Sequence, residues 1–363
     1  MNWLLSPGGQ YRRGRAAAAI GSSYPKDKGL PNTLCHIALQ MPAHRAAFSD
    51  KVLPWVVAGC IIPDIPWILL RTSLALDLAA PYTVRLYTTI QASLLFCALF
   101  SAFLAQLSRH PAATFAILTG NSLLHLLLDA TQVKWANGVH LLAPFDWSAW
   151  QFNLFDIDHP LGIPLTIAGL ITLLWSWPKI LRQQIWAATT NPGRIVAAVI
   201  CILLYLTGPL FFLDVLEQTD FHFLHTLKNK AARPGKYIEF DRVAYDRAAA
   251  TVTIFSGETI RLEGAMPDSS GSVSIRGRFV SPDNVAVADY RMHSRFRDPA
   301  SMLGIFLACV LTLQTIILPL YSHLPSQTKD ATHEDDDQSD HSPPSPPGEQ
   351  PGADDRNDHP QSP

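Results

Sequence analysis

The stretch Leu53-Pro54-Trp55-Val56-Val57-Ala58-Gly59-Cys60-Ile61-Ile62-Pro63-Asp64-Ile65-Pro66-Trp67-Ile68-Leu69-Leu70-Arg71 holds one acid, Asp64, in an otherwise apolar run that ends at a basic residue. Crossing hydrocarbon takes about 20 mostly apolar residues whose backbone polar groups are satisfied within a helix. The run therefore reads as a membrane span, and its prolines set its local form. Pro63 and Pro66 each remove a helical hydrogen bond, so the helix is expected to break at Asp64 and aim the carboxylate into a protein cavity. The alternative is an aspartate that caps the second half-helix.

Working outward, five more stretches have this character: about 86–107, 112–130, 161–177, 195–213 and 301–322. The fold class that follows is an α-helical polytopic membrane protein with about six transmembrane helices. The 363-residue composition agrees, with 48% hydrophobic and 16% charged residues and a mean hydropathy of +0.12, against about 25% charged in soluble domains. Collagen-like, coiled-coil and disulfide-framework proteins are excluded. Cys35, Cys60, Cys97, Cys201 and Cys309 are scattered singly and read as small lipid- or core-facing side chains.

The formal charge of −2 averages unlike parts. Residues 1–328 carry 26 basic and 20 acidic groups, whereas the remainder carries 2 and 10. Residues 1–30 read as a disordered basic extension and 323–363 as a disordered acidic, Pro-rich tail that cannot bury enough apolar surface to order. Residues 31–213 form the membrane domain with its five spans. If spans alternate, eleven basic residues in short flanks (Arg12 to Arg194) fall on one side and three (Arg71, Arg85, Lys134) on the other. Basic flanks favour the cytoplasm. This predicts a multi-pass membrane protein with cytoplasmic termini and the 214–300 segment on the outer, periplasmic-type side.

That segment is polar. Five runs alternate with period two, Tyr237–Val243, Thr251–Phe255, Thr259–Glu263, Ser272–Val280 and Val285–Met292, with turn signals between them. They predict a small all-β, OB-like barrel inserted before the last helix. Arg261, Arg276, Arg278 and Arg291 lack the interleaved aromatic series of a nucleic-acid platform, so no nucleic-acid partner is expected. The barrel reads as a structural or lid module.

Ionisable groups inside spans are costly and tend to mark functional sites. Besides Asp64, the third span contains Gly120-Asn121-Ser122-Leu123-Leu124-His125-Leu126-Leu127-Leu128-Asp129. His125 and Asp129, four apart on a helix, project from one face and could ligate one divalent cation. A direct Asp–His hydrogen bond with no metal is the alternative. His36 opens an amphipathic stretch ahead of the first span. The loop after the third span carries His140 and potential extra ligands Asp156, Asp158 and His159, while Trp135, Trp147 and Trp150 suit an interfacial belt.

An N-terminal His, Gly59-x-x-x-Pro63-Asp64, Gly120-x-x-x-x-His125-x-x-x-Asp129 and Asn137-Gly138-Val139-x-Leu141-Leu142-x-Pro144-Phe145 together resemble the YdjM-like family of bacterial inner-membrane proteins, over about residues 31–150. The resemblance implies a membrane-bound metal-dependent hydrolase with His36, Asp64, His125 and Asp129 as its polar constellation. That family carries His-Arg-Gly-x-Thr-His-Ser at the start of its second span, where this chain has Tyr87 to Ser93 and both histidines are missing, Ala92 standing for the second. Either Gln91 and His140 rebuild a reduced site, or the activity has been lost. The helical HxxxD pair is also reminiscent of zinc-dependent phospholipase C proteins.

The leading expectation is an inner-membrane, metal-dependent hydrolase. Its catalytic residues would be Asp64, His125 and Asp129, with metal ligands drawn from His36, Asp64, His125, Asp129 and His140. The ion would be zinc, given imidazole and carboxylate ligands, and the partner a membrane lipid or a lipid-linked phosphoester. The rival is a non-catalytic envelope scaffold with a structural Asp/His network. Proton-coupled transport would use the same groups but would lead to an internal repeat of the spans, which is not seen. The topology count leaves one conflict: it puts His36 on the cytoplasmic side and His125 and Asp129 near the outer end of their span. The four can meet only if segment 31–50 re-enters the membrane or the span count differs.

Overall fold

The computed structural model describes residues 32–47, 50–156, 161–183, 186, 190–293 and 297–322. The expected basic extension, the acidic tail, Asp158 and His159 lie outside them. Helices α1 (Thr33–Ala47), α2 (Leu53–Ile61), α3 (Ile65–Ala75), α4 (Pro81–Gln91), α5 (Leu94–Gln106) and α6 (Pro111–Ala130) are followed by a two-residue parallel pair, β1 (Gln132–Val133) and β2 (Phe155–Asp156). Then come α7 (Gly162–Leu181), α8 (Pro192–Thr207), two short helices α9 (Leu213–Gln218) and α10 (Leu224–Lys228), strands β3 (Tyr237–Asp246), β4 (Thr251–Thr253), β5 (Thr259–Gly264), β6 (Gly271–Ser281) and β7 (Asn284–Met292), and α11 (Arg297–Ser322).

Proline starts five of these eleven helices. Pro54, Pro66, Pro81, Pro111 and Pro192 all sit in a first turn, where no N–H is required and the fixed φ suits a helix. α8 is further capped by the Asn191 side chain, which accepts from Gly193 N at 2.9 Å. Four helical stretches are long and apolar enough to cross a membrane: Asp50–Ala75, Pro111–Ala130, Gly162–Leu181 and Pro192–Gln218. The expected 86–107 span is instead a pair, α4 and α5, bent by 70° where Ser93 turns to an extended ψ of 161°. Counting that pair as one gives five. In α11 the apolar described part, Pro299–Thr315, is shorter than a span. α7 and α8 expose stripes such as Ile171, Trp175, Val196, Ile200 and Leu203, an arrangement that suits lipid and not water.

α1 removes the conflict over His36. Its His44 lies 3.3 Å from Asn121 in the middle of α6, and its His36 meets Asp129 near the end of α6. The two helices therefore run antiparallel, side by side inside the bundle. Close approach is made possible by missing side chains: a Cβ on Gly169 of α7 would lie 1.9 Å from the Leu34 carbonyl oxygen, and one on Gly59 of α2 would lie 2.7 Å from Asn121 Cβ. At the other end of the bundle, Arg45 and Lys179 both reach Asp50, and Arg194 donates to the carbonyls of Gln106 and Ser108.

The five strands close into a barrel in the order β3-β4-β5-β7-β6 and back to β3, with β5 and β7 parallel. Each expected run corresponds to one of these strands, although β4 ends at Thr253, short of the expected Phe255. Inward residues such as Ile238, Phe240, Val252, Ile260, Val273, Ile275 and Phe279 make an apolar core, the physical result of the period-two pattern. The barrel docks on the helical part through Arg276, stacked 4.1 Å over the Trp135 ring, and through Glu239, which accepts from Ala136 N at 2.7 Å. Trp135 is thereby buried under the barrel, not placed in an interfacial belt.

Candidate functional site

The short 3-10 turn Ile62–Asp64 separates α2 from α3, as the two prolines require. Asp64 occupies the N-cap position of α3 but makes no side-chain cap hydrogen bond. Its carboxylate accepts from Thr33 Oγ1 at 2.9 Å and faces His125 Nε2 at 3.6 Å. The capping alternative is thus not what the carboxylate does.

On α6, His125 and Asp129 share a face, and α1 brings His36 against both. The His36 and His125 rings stack in parallel with centroids 3.7 Å apart and planes 6° apart. His36 Nε2 lies 3.4 Å from Asp129 Oδ1. His36, His125 and Asp129 each offer a ligand atom within 4.8 Å of the others, a group that could hold a metal ion. Both imidazoles are nearly sealed from solvent, whereas Asp64 and Asp129 remain about a quarter exposed.

The hydrogen-bond logic of this group decides what it can do. His125 Nδ1 lies 2.7 Å from the Cys60 carbonyl oxygen, which can only accept. The proton of a neutral imidazole is assigned there, so Nε2 is left as an acceptor. That acceptor faces a carboxylate oxygen, another acceptor. Such an arrangement is stable only with a cation between or beside the two, either a proton or a metal. Fixing one ring nitrogen by a backbone carbonyl while the other faces the site is the usual support of a metal-ligating histidine. His36 Nδ1 is buried with no hydrogen-bond partner. The donor set therefore fits a divalent cation.

Asp129 has partners of its own. Lys134 Nζ sits 2.9 Å from Oδ2 and Gln132 Nε2 donates to Oδ1 at 2.8 Å. Thr33, Gln132, Lys134 and the Cys60 carbonyl escaped the sequence reading. Thr33 carried a signal, being one helical turn before His36, and Gln132 and Lys134 directly follow the motif helix; the carbonyl carried none.

The group opens into a cavity of about 850 Å³ whose wall also includes Arg85, His140, His222 and Arg242. His140 reaches this cavity but stands apart from the converging ligand atoms, its ring edge-on to Phe221 at 4.2 Å. Burial pulls its imidazole down to about 4, against the opposing pull of the Trp147 backbone and Asp146. Gln91 instead points to Tyr87 Oη and the Tyr205 carbonyl, while Ala92 lines the cavity. Asp156 lies in β2.

A chain with several apolar helices long enough to cross a membrane, a closed five-strand barrel and a buried His/His/Asp group defines a class of architecture. No protein-family model, curated protein sequence or solved structure matches this chain.

Proposed function

We propose that this chain is a metal-dependent hydrolase of the bacterial inner membrane, of the YdjM-like kind, acting on a lipid or lipid-linked phosphoester. His36, His125 and Asp129 would hold the ion, with Asp64 beside them. The observation that carries this reading is the pairing of two acceptors, His125 Nε2 and Asp64 Oδ1, at 3.6 Å. Imidazole and carboxylate donors suit zinc. When bound, such an ion supplies Lewis-acid polarisation of a phosphoryl or acyl oxygen and activation of water near neutral pH. Cys60 and Thr33 orient His125 and Asp64, and Lys134 pairs with Asp129 beside the histidines. The cavity admits a headgroup-sized substrate.

The end of the bundle that gathers Arg45, Lys179 and Arg194 would be cytoplasmic and the barrel periplasmic, and the barrel would be OB-like in strand order. α11 runs from the cavity, at Ser301, toward the basic end, where Thr315 accepts from Trp186. α1 starts at the cavity end, opposite the end that gathers Arg45, Lys179 and Arg194.

The rival, a non-catalytic membrane scaffold, is favoured by one observation: Lys134 and Gln132 already engage both oxygens of Asp129. Elemental analysis of detergent-purified protein beside His125→Ala and Asp129→Ala separates the two. The hydrolase reading expects near-stoichiometric metal in the wild type and a loss in both variants, together with wild-type hydrolysis of a phosphoester panel. Equal metal in all three, or none in the wild type, removes its mechanism and leaves the scaffold.

A further inference from the structure

Arg85 stands out among the cavity's cations. Its Nη2 lies 3.3 Å from both ring nitrogens of His222, and the guanidinium stacks 4.7 Å over the Phe255 ring of the barrel. Neither contact neutralises it, because an imidazole next to an arginine can only accept if it is itself uncharged. The cavity's lysine and its barrel carboxylates have partners of their own. Lys134 sits on Asp129, and Glu239 binds Ala136 N, the Tyr237 hydroxyl and Arg276. Asp241 accepts from Ser274 and lies 3.5 Å from Arg242. Among the described residues, no carboxylate lies within ion-pair distance of Arg85.

Two strained segments set side chains on the cavity wall that holds this guanidinium. His222 has φ +53°, between Asp220 at +52° and Phe223 at +55°, and the turn is pinned by Asp220, which accepts from Thr226 N and Oγ1. Arg242 has φ +51° at the register break between Phe240 and Val243, held by its own N–H to Ser274 Oγ at 3.1 Å. Left-handed backbone is uncommon for residues with a Cβ and persists where the surroundings enforce it. Bulges of this kind re-aim side chains beside functional sites. Here the bulge sets Arg242 on the cavity wall with Arg85 and His222. After burial itself, the Arg85 charge is the main force holding the His222 imidazole well below its usual range, with His140, Lys134 and Arg242 adding to it.

We propose that Arg85 of α4 and Arg242 of the barrel form a clamp for a phosphate oxyanion, so that the barrel completes a substrate site with the His/Asp group. A guanidinium fork matches a phosphate with two parallel hydrogen bonds, which an ammonium cannot reproduce. The substrate class that follows is a phosphate ester with an accessible dianionic or monoanionic group, free or on a lipid. This inference deepens the hydrolase reading and rests on it only for the reaction, not for the binding.

Titration calorimetry of the full-length, detergent-purified protein with inorganic phosphate and, separately, dodecyl phosphate tests it. The expected result is saturable binding, weakened about tenfold or more by Arg85→Gln and by Arg242→Gln and unchanged by Arg278→Gln on the barrel surface. Arg85→Lys is expected to lose most of the affinity although it keeps the charge. Tighter binding of dodecyl phosphate identifies a lipid headgroup as the source, and equal binding identifies the phosphate alone. Should Arg85→Gln fail to give monodisperse protein, Arg242→Gln carries the comparison. No saturable binding by the wild type, or unaltered affinity in well-folded arginine variants, overturns the clamp. Metal content of the same samples keeps the two readings apart: phosphate bound by metal-free wild type defeats the hydrolase and leaves the clamp standing.

Discussion

In the barrel, Arg233 is wholly buried, and its guanidinium meets both oxygens of Glu258 at 2.7 and 2.9 Å as well as the carbonyls of Leu227 and Pro282. In the helix bundle, two stacked histidines face two carboxylates at 3.4 and 3.6 Å, with one ring nitrogen unpartnered and a cavity in front. Both regions bury charge beside apolar packing. The first arrangement is closed: short bidentate contacts offset desolvation, and although the guanidinium Nε has no partner, both terminal nitrogens are engaged. The second is open, its distances exceeding the roughly 2.9 Å of a good hydrogen bond. A buried ionic group that is tightly paired reads as architecture; one that is under-paired and faces a cavity reads as a site.

Four measurements break or sharpen this contrast. Removing the closed pair should cost most. Arg233→Ala removes the buried bidentate partner of Glu258, leaving it Lys230 at 2.9 Å, and should destabilise the barrel by about 3 kcal/mol, read as the midpoint of denaturant unfolding followed by proteolytic protection of residues 237–292. A barrel that tolerates this change would erase the distinction drawn above.

The pH response comes next. His140 has a folded-state value of about 4, below its unfolded value of about 6.5. Between these, the unfolded chain binds the extra proton, so stability falls as pH drops from about 6.5 to 4, by about 2 kcal/mol for a group this buried. His140→Phe should flatten that slope in thermal melts taken across the window. The Glu258 carboxyl responds in a different range. Burial raises it, but the Arg233 fork and Lys230 hold it below the usual glutamate range. Its stabilisation is present above about pH 4.3 and is lost as pH falls through the depressed folded value.

A smaller effect should come from the open site. Thr33→Val removes the hydrogen bond that orients Asp64 and should weaken metal affinity about tenfold, the range for support groups of a metal site. Its melting temperature should hardly move, and a large stability loss without a change in metal affinity would make the group structural. Smallest of all, Arg276→Ala should cost about 1 kcal/mol by uncovering Trp135. Increased proteolysis at the 131–139 loop would report it.

Much of both regions was legible beforehand, for different reasons. The barrel strands follow from strict alternation between turn signals, a local code that the closed sheet preserves. The interior Asp64, His125 and Asp129 were conspicuous because apolar surroundings make ionisable residues expensive. The span count was less legible: whether α4 and α5 form one straight helix depends on how Gln91 and Ser93 are packed, and α11 reads long by hydropathy but short as an apolar helix among the described residues. Trp135 read as an interfacial residue because its local sequence says nothing of Arg276, which lies far along the chain.

By itself the sequence determined that this chain carries apolar helices punctuated by prolines, a polar β segment and a few ionisable residues where burial makes them costly, since periodicity and composition are local properties. Only the tertiary structure decided that α1 lies inside the bundle, that His36 stacks on His125, and that a barrel bulge sets Arg242 on the same cavity as Arg85. Those contacts join residues tens to hundreds of positions apart; the glycines that admit close helices are visible in the order of residues, but which segment approaches them, and which backbone strain packing enforces, is not.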